Sequence, residues 1–227
     1  MLDARMTRLA ELLVGYSTSV KAGDHLLIEA FDIPDAMVIA LVRACRDAGG
    51  HPHVALRNNR IQRAVIEQAD DAQLETWAGH DLNRMQSMDA YIGLRGGFNI
   101  NEMAGVAPDR MQAFGRHYGK PVHLEQRVKN TRWCVLRWPT PSMAQLAQTN
   151  TEAFEQFYFD VCTLDYRRMA HACEKLAARM NRTDRVHIKG PGDTDLTFSI
   201  KDIPAIPCCG EKNIPDGECY TAPVRDS

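Results

Sequence analysis

Two glutamates, Glu211 and Glu218, lie in the turn-rich segment GEKNIPDGECYTAP, residues 210–223. Glu218 follows Pro215-Asp216-Gly217 directly and precedes Cys219-Tyr220-Thr221. That order holds a carboxylate at the junction of a turn and a strand, where it can face a cleft. Carboxylates suit hard and borderline divalent cations, and one that bridges two ions can organise a hydrolytic centre. On composition alone, a solvated glutamate is the simpler reading. His51 and His53 alternate in an extended stretch, so both imidazoles can point the same way and share a metal. The sequence supplies no adjacent third ligand, and surface or half-buried histidines explain them more simply. Cys208-Cys209 with Cys219 can be read as a thiolate site. Adjacent cysteines chelate poorly, however, and zinc sites prefer two to four residues between paired ligands, so small reduced side chains are the default. The loop GLRGGFN, residues 93–99, follows an apolar stretch and can hold an anion at a strand end. It is not G-x-G-x-x-G, no GK[ST] follows, and the turn Phe31-Asp32-Ile33-Pro34 has no glycine. Dinucleotide binding is therefore unsupported, and a tight turn needing positive φ is the expected use of these glycines.

These residues need a scaffold, and the hydrophobic periodicity describes one. Leu2, Met6, Leu9, Leu13, Tyr16 and Val20 share one face of an N-terminal helix that Gly23 ends. HLLIEA, residues 25–30, is a buried strand by pattern, and Pro34 opens a second helix closed by Gly49-Gly50. Strands are expected at residues 54–56, 90–94, 122–124 and 134–136, with helices over residues 61–77 and 108–118 between them. Strand and helix alternating at this spacing predict an α/β fold, a mostly parallel sheet flanked by helices. From about Pro139 the pattern changes to three successive helices, residues 142–148, 151–162 and 165–182, the last capped by Asp165. Two strands, residues 186–189 and 196–200, follow around Gly190-Pro191-Gly192. From Asp184 onward 44 residues remain, too few for an independent core. The expected organisation is an N-terminal α/β domain, residues 1–183, then residues 184–227 as the opening β segment of an incomplete second domain.

The chain has 227 residues, a formal charge of −2 and 44% hydrophobic residues. That balance is globular, and it gives no electrostatic reason to expect nucleic acid or an anionic membrane as partner. No apolar run approaches the roughly 20 residues that span a bilayer. Charge at Asp3 and Arg5 is unlike a secretory leader. Seven cysteines, an odd number in apolar contexts, read as reduced thiols, and a cytoplasmic location is expected.

The segment Asn213-Ile214-Pro215-Asp216-Gly217-Glu218-Cys219-Tyr220-Thr221-Ala222-Pro223 resembles the N-[IM]-P-x-G-E-[VC]-[FY]-T-A-P signature of the M29 metallo-aminopeptidases, the thermophilic metalloprotease family. Val20-Lys21-Ala22-Gly23-Asp24 and the glycine-rich stretch from Gly190 to Thr197 are also similar to the family's order of motifs. The resemblance covers nearly the whole chain but only the N-terminal part of the family's length. It implies a two-domain, usually homodimeric enzyme that releases N-terminal residues from peptides with two divalent ions, zinc, cobalt and manganese being indistinguishable here. Glu218 falls on the family's first metal-ligand glutamate. The family's other ligands lie beyond Ser227, and all eight histidines precede Glu218, so the chain is expected to be an incomplete, inactive part of that enzyme. The alternative from another class is a non-catalytic α/β module that binds a small ligand at the sheet edge near Arg95 and Gly96, or that assembles with other subunits.

Overall fold

The computed structural model describes residues 3–227. Leu2, expected on the first helical face, lies outside them. The chain forms two compact units, Met1–Thr163 with Glu211–Ile214, and Leu164–Gly210 with Pro215–Ser227.

In the first unit Asp3 caps α1 (Ala4–Leu12) by accepting from Arg5 N at 2.8 Å. Leu9 and Leu13 are fully buried, and the helix widens over Leu13–Ser17 before ending, so Val20 lies past it. β1 (His25–Phe31) leads through α2 (Asp35–Asp47) to β2 (His51–Arg57). Then come α3 (Asn59–Gln68), α4 (Asp71–Gln86) and β3 (Ala90–Arg95). α5 (Pro108–Phe114) continues as a wide helical stretch, Gly115–Arg127, closed by α6 (Val128–Asn130) and followed by β4 (Arg132–Arg137). α7 (Pro141–Leu146) and α8 (Thr151–Cys162) complete the unit, with β8 (Asn213–Ile214) as a fifth strand.

The five strands run parallel in the order β2-β1-β3-β4-β8. This is the α/β architecture the alternating pattern predicts. The buried runs of β1 and β3 are those of strands covered on both faces, with Leu26, Ile28, Ile92 and Leu94 at 0% exposure. β1 connects toward one edge of the sheet and β3 toward the other, so the chain order reverses between them. A crevice opens at such a reversal, beyond the carboxyl ends of the strands.

Two expected elements differ. The helix expected over residues 61–77 is two helices, because the chain becomes extended at Ala69 and Asp70, and Asp70 caps α4 by accepting from Gln73 N at 2.7 Å. The strand expected at Val122–Leu124 does not form. Those residues belong to the wide helix, where Tyr118 and Val122 are buried together and Leu124 is 60% exposed. Three residues of alternating polarity do not separate a strand from the end of a helical face.

The second unit contains α9 (Tyr166–Met180), the antiparallel hairpin of β5 (Arg185–Lys189) with β6 (Asp195–Ser199), and the antiparallel pair of β7 (Ile206–Cys208) with β9 (Glu218–Tyr220). Asp165 caps α9 as expected, accepting from Arg168 N at 3.0 Å. Where the sequence sets a boundary after residue 183, the contacts part after Thr163. The face of α9 that carries Tyr166, Cys173 and Ala177 is buried, and this helix packs on β7 and β9, so it groups with the segment that follows it.

Candidate functional site

The expected metal ligand, Glu218, opens β9 in the second unit. The turn before it is tightly fixed. The Asp216 carboxylate accepts from Gly210 N at 2.8 Å and Gly217 N at 3.1 Å, and Asp216 N donates to the Tyr166 hydroxyl at 3.3 Å. Gly217 has φ 136°, and a Cβ there would lie 2.8 Å from Met169 Sδ. Only glycine meets both demands without strain. Glu218 emerges from this turn exposed, beside Cys208 in register on β7. Glu211 lies in the segment assigned to the first unit and is also exposed.

Among the described residues, no group of three or more His, Cys, Asp or Glu side chains is arranged to hold a metal ion. Glu218 supplies one carboxylate, and a structural zinc needs about four ligands while a catalytic one needs about three. The residues present therefore do not fit a two-metal centre by themselves. Cys208, Cys209 and Cys219 form no disulfide and no such cluster, and Cys219 Sγ donates to the Cys173 carbonyl at 3.3 Å. His51 and His53 do lie together, and His25 joins them from β1, a neighbour that the linear sequence hides. His25 Nδ1 is 2.9 Å from His53 Nε2, and the His25 ring centroid is 5.1 Å from that of His51. Partial burial and then the nearby His25 and His51 push the His53 pKa below its ordinary value.

The first unit concentrates ionisable groups on one face of its sheet. Glu29 is 3% exposed in the middle of β1. It accepts from the Tyr91 hydroxyl at 2.5 Å, Arg95 Nη2 at 3.1 Å and Arg57 Nε at 3.3 Å. Burial works against the charge of Glu29, but Arg95, Tyr91 and Arg57 outweigh it and hold its pKa below the usual carboxylate value. Asp81 on α4 accepts from Arg57 Nη2 at 2.5 Å, Arg84 Nη2 at 2.7 Å, the Tyr118 hydroxyl at 2.7 Å and Trp77 Nε1 at 3.0 Å. Arg127 lies over the Trp133 ring at 4.4 Å and the Tyr91 ring at 5.1 Å, and its Nε donates to His123 Nδ1 at 3.3 Å. Burial lowers the His123 pKa to about 4, which keeps the imidazole neutral at pH 7 and fits its acceptor role.

Strand alternation builds this network. Leu27, Glu29 and Phe31 of β1 share a face with Tyr91, Gly93 and Arg95 of β3, their registered neighbours. Gly93 is the gap over which Tyr91 and Arg95 meet, because a Cβ there would lie 2.9 Å from the Tyr91 ring and hydroxyl. Gly96 serves another close approach: its Cβ would lie 2.5 Å from the Asp32 carbonyl oxygen. Neither these glycines nor Gly97 has a positive φ, so space, not left-handed backbone, explains the loop. A cavity of about 390 Å³ opens beside them, with Phe31, Arg95, Gly96, Met103 and Arg137 among its walls. The sequence signal for the network is a charged residue inside an otherwise apolar strand, Glu29 in HLLIEA.

The sequence model described as thermophilic metalloprotease (M29) matches residues 2–227. No curated protein matches the chain in a sequence search. Among solved structures, AmpT from Thermus thermophilus is similar with a TM-score of 0.77 and 18% identity, covering 98% of this chain and 62% of that one. A 2,5-dihydroxypyridine dioxygenase from Pseudomonas putida KT2440 is similar with a TM-score of 0.51 and 15% identity, covering 98% of this chain and 56% of that one. At these identities the likeness is one of fold. This chain spans less than two thirds of the length of either structure.

Proposed function

The chain belongs to the thermophilic metalloprotease family M29, and we propose that it is part of a metal-dependent aminopeptidase in which Glu218 is one metal ligand. The substrates are peptides with a free N-terminus, and the working enzyme is a homodimer that needs two divalent ions. The observation carrying this reading is the family match across residues 2–227, which includes the turn that presents Glu218. The fixed turn and the exposure of Glu218 support a ligand role. The remaining ligands are not assembled among residues 3–227. The proposal accordingly divides the chain by role: the first unit acts as scaffold, and the second, which carries Glu218, begins the metal-binding domain.

The test is made on the protein isolated from its source. The expected result is release of N-terminal residues from peptides, abolished by chelation and by Glu218→Gln, from a species heavier than 25.5 kDa that contains these peptides. Peptide release that survives both chelation and Glu218→Gln would overturn the reading.

A further inference from the structure

The cavity at the carboxyl end of the sheet belongs to no part of the peptidase reading, and it lies wholly within the first unit. It sits against the ends of β1 and β3, where the strand order reverses, and its volume of about 390 Å³ suits a small ligand. Its charge is unbalanced. Around Glu29 and Asp81 stand four guanidinium groups, those of Arg57, Arg84, Arg95 and Arg127. Arg95 is the member of this set that lines the cavity. Its guanidinium lies 4.3 Å over the Phe31 ring, and Nη2 is held by Glu29 and Tyr91. Nη1 is buried and, among the described residues, has no hydrogen-bond partner. A buried donor without a partner is costly, and an anion that reaches it recovers that loss. Arg137 adds a second positive charge to the wall, while the one acid there, Glu102, is paired with Arg63 at 3.4 Å.

The loop beside Arg95 is already organised. Asn59 Nδ2 donates to the Gly96 carbonyl at 2.9 Å, and Ser142 Oγ donates to the Gly97 carbonyl at 2.7 Å. The Gly96 N–H donates to the Phe31 carbonyl at 2.8 Å, so it is not turned toward a ligand. The Gly96 amide is thus not available to cradle a phosphate. Phe114, Met103, Ile100 and Met143 supply an apolar part of the wall, beside polar Asn59, Gln62, Asn99 and Thr140.

We propose that this cavity binds a small organic carboxylate, its charged end at Arg95 and Arg137 and its apolar body against Met103, Met143 and Phe114. The proposal does not depend on the aminopeptidase reading. Two arginines beside apolar side chains suit an organic carboxylate better than inorganic phosphate, which has no apolar body to bury.

The test follows backbone amide signals of the full chain by NMR during titration with 4-methylpentanoate, its uncharged amide 4-methylpentanamide, and inorganic phosphate. The expected result is saturable shifts at Gly96, Gly97 and Ser142 with the carboxylate, and at least tenfold weaker binding of the amide and of phosphate. Arg95→Gln should lose at least tenfold in carboxylate affinity. Because Arg95 also pairs with Glu29, Gly97→Val serves as a second variant. It narrows the cavity without touching the charge network, with the nearest atom to a new Cβ at 3.6 Å. It should keep the fold and also lose at least tenfold. The proposal is overturned if the amide binds as tightly as the acid, if phosphate binds more tightly, if no signal near the cavity saturates, or if a folded Gly97→Val binds unchanged.

Discussion

Glu29 and Glu218 are both strand glutamates, and their surroundings are opposite. Glu29 is 3% exposed and accepts three hydrogen bonds from cationic or phenolic donors, so its charge is fully committed. Glu218 is exposed at the start of a three-residue strand, and only the turn behind it is fixed. A buried, satisfied carboxylate holds its neighbours in place, and removing it strands their charges. An exposed carboxylate contributes little to folding and is available to a ligand. The difference assigns stability to the first glutamate and leaves the second available for the ligand role proposed for it.

The largest expected effect breaks the comparison from the buried side. Glu29→Ala leaves Arg95, Arg57 and Tyr91 without their shared acceptor and should cost about 3–5 kcal/mol in urea unfolding. Tryptophan fluorescence will follow it, because Trp77, Trp133 and Trp138 all belong to the first unit. An effect below about 1 kcal/mol would mean that the network reorganises around the loss.

Next is pH. His123 titrates near its ordinary value of 6.5 when unfolded and at about 4 when folded. The unfolded chain therefore takes the proton first as pH falls. Stability from this residue is fully present above about pH 6.5, falls as pH drops below it, and levels off below about pH 4. At roughly 1.4 kcal/mol per pH unit the loss is about 3 kcal/mol. His123→Gln should flatten the stability profile between pH 6.5 and 4. An unchanged slope would remove His123 as its source.

A smaller effect is expected at Gly93. The Cβ of Gly93→Ala would meet the Tyr91 ring and hydroxyl at 2.9 Å, inside a packed network, and should cost about 1–3 kcal/mol. Gly97→Ala, whose Cβ meets nothing nearer than 3.6 Å, is the matched control and should cost less than 1 kcal/mol. The smallest effect is at the other glutamate: Glu218→Ala should change unfolding free energy by less than about 0.5 kcal/mol. A large loss there would give Glu218 a structural role.

The two regions were also legible to different degrees. The parallel sheet is readable because HLLIEA and AYIGL are short apolar runs separated by helical periods, and β1 and β3 form where those runs lie. The segment around Glu218 is readable because its residue order resembles a family signature, and the family model matches residues 2–227. The buried network is not readable from spacing. Glu29, Arg57, Asp81, Tyr91 and Arg95 come together only through strand register and the helix packed over it, and sequence distance hides both. His25 meets His51 and His53 for the same reason. The wide helix at residues 115–127 escaped because Pro121 disfavours a helix interior and Val122 favours extended structure locally, while burial of Tyr118 and Val122 on one face decides the outcome.

The most direct test of the account is a calorimetric zinc titration of the full chain beside Glu218→Ala. Glu218 is one carboxylate without a ligand cluster around it among the described residues. The account predicts no stoichiometric, submicromolar zinc binding that depends on Glu218, so the two titrations should coincide. Tight binding of one or two zinc ions, abolished by Glu218→Ala, would show that these residues complete the metal centre and would contradict the account.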